Sequence, residues 1–187
     1  MEALPRAVEI WNQPDAMITE WEADEHKHRH EQLVAEWVGT ADDIADLGCG
    51  VGRYARILTF TKYYGFDSSV AMVHNAQLNY GYVIGAEFST VDIFNFSNGV
   101  YYDVAIMIDV AHHQKDPVDS IIRMASLWDA RRRIVSLLVG DVREDLYAST
   151  VVPFSELLRL LDHVSLMRSY IDHCGPEPFA WVLLEFK

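Results

Sequence analysis

A chain of 187 residues, half of them hydrophobic and 12% aromatic, is long enough to bury one sizeable core and too short for two comfortable domains. With 28 acidic against 15 basic residues the formal net charge is −13, so the average field repels a phosphate backbone and disfavours nucleic acid unless a basic patch is segregated on one face. Two cysteines give no disulfide framework, the first residues (Glu2, Pro5, Arg6, Glu9) form no apolar leader, and no apolar run reaches membrane-spanning length, which predicts a soluble, cytoplasmic protein with no membrane partner.

Residues 1–40 carry Trp11, Trp21 and Trp37 on a charged background, and no proline or glycine interrupts the stretch from Ala16 to Val38. Leu33, Val34 and Trp37 fall at i, i+1 and i+4, so one or two helices are expected to pack on the first strand, ended by Gly39. His26, His28 and His30 lie within that helix, with His26 and His30 on one side. No cysteine or His-Glu signature accompanies them, so they predict an exposed helix face and no metal site.

From Asp43 short apolar runs alternate with helical segments, the pattern of βαβ units on a parallel sheet. Ile44 to Leu47 is strand 1, followed by a helix from Arg53 to Thr61; Tyr63 to Asp67 is strand 2, after which Ser68 or Ser69 caps a helix to about Tyr80. Glu87 to Ile93 is strand 3, and Tyr102 to Val110 is a continuously apolar strand 4, buried on both faces. Asp116-Pro117 starts the next helix, through Trp128. The run Arg131-Arg132-Arg133 is expected to be a solvated turn ahead of strand 5, Arg133 to Val139. Residues 141–154 are expected to form a loop, with Ser155 capping a helix to Leu161. Strands from about Val164 to Ile171 and Phe179 to Phe186 are joined too briefly to be parallel.

The chemistry gathers at the carboxyl ends of these strands, where ligands of open α/β sheets bind. Asp46-Leu47-Gly48-Cys49-Gly50-Val51-Gly52 places three glycines at alternate positions after a strand, so that backbone can approach a ligand closely and the next helix can offer N–H groups. The dinucleotide fingerprint requires glycine at position 53, which is Arg53, so a different adenosine cofactor is favoured. Asp67 at the end of strand 2 suits either the two hydroxyls of a ribose or a helix N-cap, and Asp92 with the Ile93 N–H suits either an adenine edge or an ordinary loop.

These runs, together with Gly65-Phe66-Asp67-Ser68-Ser69, Val91-Asp92-Ile93 and Tyr102-Asp103-Val104 through His112-His113, resemble the ordered motifs of class I S-adenosylmethionine-dependent methyltransferases, over about Asp43 to the C-terminus. The resemblance implies a three-layer Rossmann-like α/β fold: a seven-stranded, mostly parallel sheet of order 3-2-1-4-5-7-6, strand 7 antiparallel, with helices on both faces. It implies one methyltransferase domain over residues 1–187, with 43–187 forming the core sheet and 1–40 a helical segment covering the pocket. It also implies S-adenosylmethionine as cofactor and S-adenosylhomocysteine as product. In it the loop holding Asp46, Gly48, Cys49, Gly50 and Gly52 takes the methionine portion. Asp67 takes the ribose, Ser68 lies against the adenine or ribose, Asp92 and Ile93 take the adenine, and Asp109 the amino-acid end near the reacting methyl. Two departures stand out. Trp128 to Arg131 replaces the family's Pro-Gly-Gly turn, and Asp109-Val110-Ala111-His112 lacks the Pro-Pro motif of enzymes that methylate DNA amines or protein glutamine.

Methyl transfer from a sulfonium is an in-line displacement, so alignment in a dry pocket is the main task and a base is needed only for an acceptor that holds its proton. His112 and His113 follow strand 4 and serve either as that base or as capping and packing groups, with His112 slightly preferred. Trp11 and Tyr147 are placed to line an acceptor pocket. In the family it resembles, acceptor specificity resides in the N-terminal helices and the insertion after strand 5; both are short here, so the resemblance implies methylation of an O or N atom of a small molecule. The alternatives are an RNA or protein acceptor, which would require a basic stripe from Arg131, Arg132, Arg133 and Arg143, or a non-catalytic cofactor-binding scaffold or regulatory subunit. Oligomeric state is left open.

Overall fold

Burial of apolar stripes on both faces of one sheet decides the architecture. The computed structural model describes residues 3, 4, 9, 13, 25–141, 144–146, 149–173 and 179–187. In chain order the elements are α1 (Glu25–Val38), β1 (Thr40–Leu47), α2 (Tyr54–Ile57), β2 (Thr59–Asp67), α3 (Val70–Tyr80), β3 (Ala86–Thr90), β4 (Tyr102–Met107), a 3-10 turn (Ala111–His113), α4 (Pro117–Leu127), β5 (Ala130–Gly140), β6 (Glu144–Leu146), β7 (Ser149–Pro153), α5 (Phe154–Leu161), β8 (Leu166–Asp172) and β9 (Phe179–Phe186).

Strands β3, β2, β1, β4 and β5 are parallel neighbours, β9 joins β5 antiparallel, and β8 pairs antiparallel with β9. With β8 and β9 in the places of strands 6 and 7, this is the expected order 3-2-1-4-5-7-6. Two cores flank it. Val118, Ile121 and Met124 of α4 and Leu160 of α5 pack on one face, against Val135, Leu137 and Val182. Val34, Trp37 and Val38 of α1, with Tyr54 and Val73, pack on the other against Ile44, Val104 and Leu183. None of the described helices is long and apolar enough to cross a membrane.

The stretch expected to be a loop between β5 and α5 instead contains the hairpin of β6 and β7. The cause is a mismatch of length: β5 has eleven residues and β4 six. β4 pairs with β5 from Ala130 to Val135, while β9 occupies the opposite edge from Arg133 to Gly140. The edge that β4 vacates is taken by β7, parallel to Leu138, Val139 and Gly140. Backbone groups that would otherwise lack partners are thereby satisfied, and the hairpin stands over the carboxyl end of β4.

Other boundaries shift for similar reasons. The helix expected to reach Thr61 ends at Ile57, because Thr59 and Phe60, residues that suit a pleated surface, pair with Thr40 and Ala41 of β1. Ser155 does not cap α5; Pro153, the last residue of β7, stands at the cap position without a side-chain bond. Ser69 does cap α3, its Oγ accepting the Met72 N–H at 3.3 Å, and Asp116 caps α4 by accepting the Asp119 N–H at 3.1 Å.

Two readings of charged runs are corrected. Arg131, Arg132 and Arg133 begin β5 rather than forming a solvated turn. Arg132 pairs with Glu185 at 2.8 Å and donates to the carbonyls of Trp37 and Val38, and Arg133 is buried, donating to the carbonyls of Ala130, Ala125 and Trp128. His30 is likewise buried, not on an exposed face: its ring stacks on Trp181 at 3.8 Å and its Nε2 lies 3.0 Å from Asp172. Counting charges along the helix could not show this, because the partners are about 140–150 residues away.

Candidate functional site

The turn after β1 is tied to β2 by two N–H groups, those of Gly48 and Cys49, both donating to the Phe66 carbonyl at 2.7 and 3.0 Å. Its glycines differ in purpose. A Cβ on Gly48 would sit 2.4 Å from a Val110 methyl, and one on Gly52 2.7 Å from the Phe88 ring, so both serve close packing. Gly50, at φ 53, has no atom within 4 Å of where a Cβ would be, and this is the open side on which a ligand can lie against bare backbone.

A cleft runs along the carboxyl ends of β1, β2 and β4. It gathers Gly48, Cys49, Gly50, Asp67, Ser68, Asp92, Ile93, Asp109 and His113 from the residues singled out in the sequence. Asp46, Gly52 and His112 stand behind its wall, and Trp11 and Tyr147 lie outside the described residues.

Asp67 is held in place by the turn it faces. One carboxylate oxygen accepts the Gly50 N–H at 2.9 Å and the other the Ser69 N–H at 2.8 Å. The carboxylate lines the cleft and retains acceptor capacity beyond these bonds, which suits a vicinal diol. Burial raises its pKa, and the backbone N–H groups of Ser69, Gly50 and Ser68 counter that. Asp92 is anchored in its own turn, accepting the Phe94 N–H at 3.1 Å and the Asn95 side chain at 2.7 Å. The Ile93 carbonyl accepts the Trp128 indole N–H at 2.8 Å, so α4 fixes this loop from behind.

Behind the turn Asp46 is fully enclosed, its carboxyl accepting the Tyr63 hydroxyl. Burial, assisted by the nearby Asp67, pushes its pKa up to about 7 against the opposing effects of Tyr63 and Arg53.

Asp109 is the one non-glycine residue at positive φ among those described, at 57°. That backbone lets its N–H reach Ser136 Oγ at 2.7 Å while its carboxylate receives three donors: Ser136 Oγ at 3.1 Å, the Trp181 indole at 2.8 Å and Lys27 Nζ at 3.1 Å. Burial alone would raise its pKa, but the Lys27 ammonium and the Trp181 bond outweigh it and hold the carboxyl well below the usual range. The cleft therefore contains a fixed negative charge at the end of β4.

The two histidines are separated by the 3-10 turn. His112 is 6% exposed, its Nδ1 has no hydrogen-bond partner among the described residues, and burial holds it well below the usual imidazole pKa, so it is neutral. His113 lines the cleft beside Gln114, its ring 4.3 Å from that of His112. The Leu4 N–H donates to the His113 carbonyl at 2.9 Å and Ala3 bridges to Gln114, bringing the N-terminal segment to the rim.

Three contributors escaped sequence reasoning. Arg53 lines the cleft and pairs with Glu31 of α1 at 2.5 Å. It was visible only as the residue that broke the dinucleotide spacing, and that position was itself the signal. Lys27 and Tyr54 had no motif around them. Among the described residues no group of three or more His, Cys, Asp or Glu side chains could hold a metal ion.

A family model described as a methyltransferase domain matches residues 45–129, the span from β1 to the end of α4 that carries the glycine turn, Asp67, Asp92 and Asp109. A comparison with curated protein sequences finds no match. Among solved structures, the magnesium protoporphyrin IX methyltransferase (ChlM) from Synechocystis PCC 6803, with bound S-adenosylmethionine, is 23% identical; the match covers 98% of this chain and 97% of that one with a TM-score of 0.69. Coclaurine N-methyltransferase bound to N-methylheliamine and S-adenosylhomocysteine is 13% identical, covering 88% and 73%, at 0.69. The [4+2]-cyclase SpnF is 16% identical, covering 100% and 98%, at 0.73. At these identities the likeness is one of fold.

Proposed function

We propose that this chain is a class I S-adenosylmethionine-dependent methyltransferase that methylates an oxygen or nitrogen of a small-molecule acceptor; a methyltransferase-domain model matches residues 45–129, and the sheet has the class I order. The observation that carries the acceptor class is the fate of the arginine run. Arg132 and Arg133 are engaged in the sheet at the amino end of β5, opposite the cleft, and Arg131 pairs with Asp103 at 3.7 Å. That leaves no stripe from these three arginines at the cleft mouth to track a phosphate backbone. The rim is instead formed by the chain's own Ala3, His113 and Gln114. Two neighbours of the fold, named for a porphyrin and for coclaurine, act on small molecules and agree with this reading.

The residues present suit the cofactor: open backbone at Gly50, a diol acceptor at Asp67 and a fixed anion at Asp109. S-adenosylmethionine, when bound, supplies a methyl group activated by its sulfonium. The chain's own contribution is placement. Asp67 orients the ribose, Asp92 and Ile93 border the adenine, and Asp109, held ionised, attracts the ammonium of the amino-acid end. His113 is the one histidine of the pair on the cleft wall, and we assign it, rather than His112, the acceptor's proton. The test is incubation with isotope-labelled S-adenosylmethionine and a metabolite extract, followed by mass identification of the product. Label in a small molecule supports the proposal; label in RNA or protein alone refutes it.

A further inference from the structure

The amino-terminal half of α1 presents two opposite charges to the cleft. Lys27 and Glu31 are four residues apart and so share one helix face. Lys27 Nζ lies 3.1 Å from Asp109 Oδ2, and Glu31 Oε1 lies 2.5 Å from Arg53 Nη1. Asp109 and Arg53 both line the cleft. Three of these four side chains are at most 13% exposed, so neither pair is a screened surface contact. An ammonium and a carboxylate set against one buried anion and one buried cation reproduce the charge pattern of an α-amino acid, which is the pattern at the methionine end of S-adenosylmethionine.

We propose that α1 is an internal competitor for the cofactor's amino-acid end. Lys27 and Glu31 occupy Asp109 and Arg53 before binding, and the incoming ammonium and carboxylate take those partners over. The inference rests on the reading that this end of the cofactor lies between Asp109 and Arg53. The exchange requires movement of side chains and not of the helix. Val34, Trp37 and Val38 keep α1 in the core, His30 stays stacked on Trp181, and Arg29 and His30 both hold Asp172. Asp109 retains Ser136 and Trp181 throughout, Lys27 is already 31% exposed and can turn outward, and Glu31 keeps His28 within 3.5 Å. At Asp109 and Arg53 one ion pair replaces another, so neither of these cleft charges is left alone during the swap.

The test compares S-adenosylhomocysteine, which has the amino-acid end, with 5′-methylthioadenosine, which lacks it, by calorimetric titration of the wild type, Glu31→Gln and Lys27→Gln. Each substitution should tighten S-adenosylhomocysteine about tenfold and leave 5′-methylthioadenosine within twofold. A purely structural role for α1 would move both ligands together. Wild-type binding without tightening in either variant, or with weakening, overturns the exchange alone. Failure of the wild type to bind S-adenosylhomocysteine overturns the cofactor placement as well. Should a variant not fold, a crystal structure of the wild type with S-adenosylhomocysteine decides: the ligand carboxylate on Arg53 with Glu31 withdrawn supports the exchange, and both native ion pairs intact refute it.

Discussion

Replacing Asp46 by Asn should stabilise the protein, and increasingly so as the pH rises. In the folded state the buried carboxyl holds its proton up to about pH 7, whereas in the unfolded chain it releases it near its ordinary value of 3.8. Between those two values the folded state binds more protons than the unfolded one, so this group makes the free energy of unfolding fall as pH rises and level off above 7. At 1.36 kcal/mol per pH unit of displacement the full penalty is about 4 kcal/mol, of which roughly 2 to 3 kcal/mol accumulates between pH 5 and pH 8. His30 and His112 act in the opposite sense. Burial depresses both, so their contribution is lost as pH falls below 6.5. The raw stability profile of the wild type therefore mixes signs, and the difference between variant and wild type isolates Asp46. Asn keeps a carbonyl oxygen to accept the Tyr63 hydroxyl, so that donor stays paired in the comparison. The assay is urea unfolding followed by tryptophan fluorescence at pH 5, 6, 7 and 8. A stability difference that is the same at all four values refutes the reasoning.

Asp67→Ala removes two charge-assisted bonds to a ribose at about 1.5 kcal/mol each, so S-adenosylhomocysteine should bind on the order of 100-fold more weakly by calorimetry. Gly52→Ala, at φ 80 and against the Phe88 ring, should lose roughly 2–4 kcal/mol in urea unfolding. Gly50→Ala should lose only about 1 kcal/mol because its Cβ meets open space, yet weaken the cofactor by intruding on its side of the turn. With the acceptor identified by labelling, His113→Asn should lower kcat by about 10²–10⁴ with cofactor affinity unchanged, and His112→Asn should register in stability instead. Equal loss of kcat in both would refute the division between them.

Local chemistry was legible from the sequence; long-range pairing was not. The glycine turn, the end of β2 at Asp67 and the caps at Ser69 and Asp116 are settled by neighbours within a few residues, and periodicity sufficed to place them. Arg132, Arg133 and His30 misled for the converse reason. A charged or titratable residue is exposed by default, and it is buried here because Glu185, backbone carbonyls and Trp181 arrive from distant strands. The hairpin of β6 and β7 escaped because it answers to the unequal lengths of β4 and β5, a property of the assembled sheet. Within the site, sequence order could not show that His113 lines the cleft while His112 is buried beside it, because that depends on how the 3-10 turn sits against the strand ends.

The indole bond to Asp109 also bears on when the site can come into being. Asp109 and Trp181 are separated by 72 positions. At 5–20 residues per second, roughly 4 to 14 s of synthesis separate them. A nascent chain that has emerged only through β5 already possesses the glycine turn, Asp67, Asp92 and Ser136, but its Asp109 lacks Trp181, and His30 has no ring on which to stack. Full anchoring of the Asp109 carboxylate thus belongs to a late event, the docking of β9.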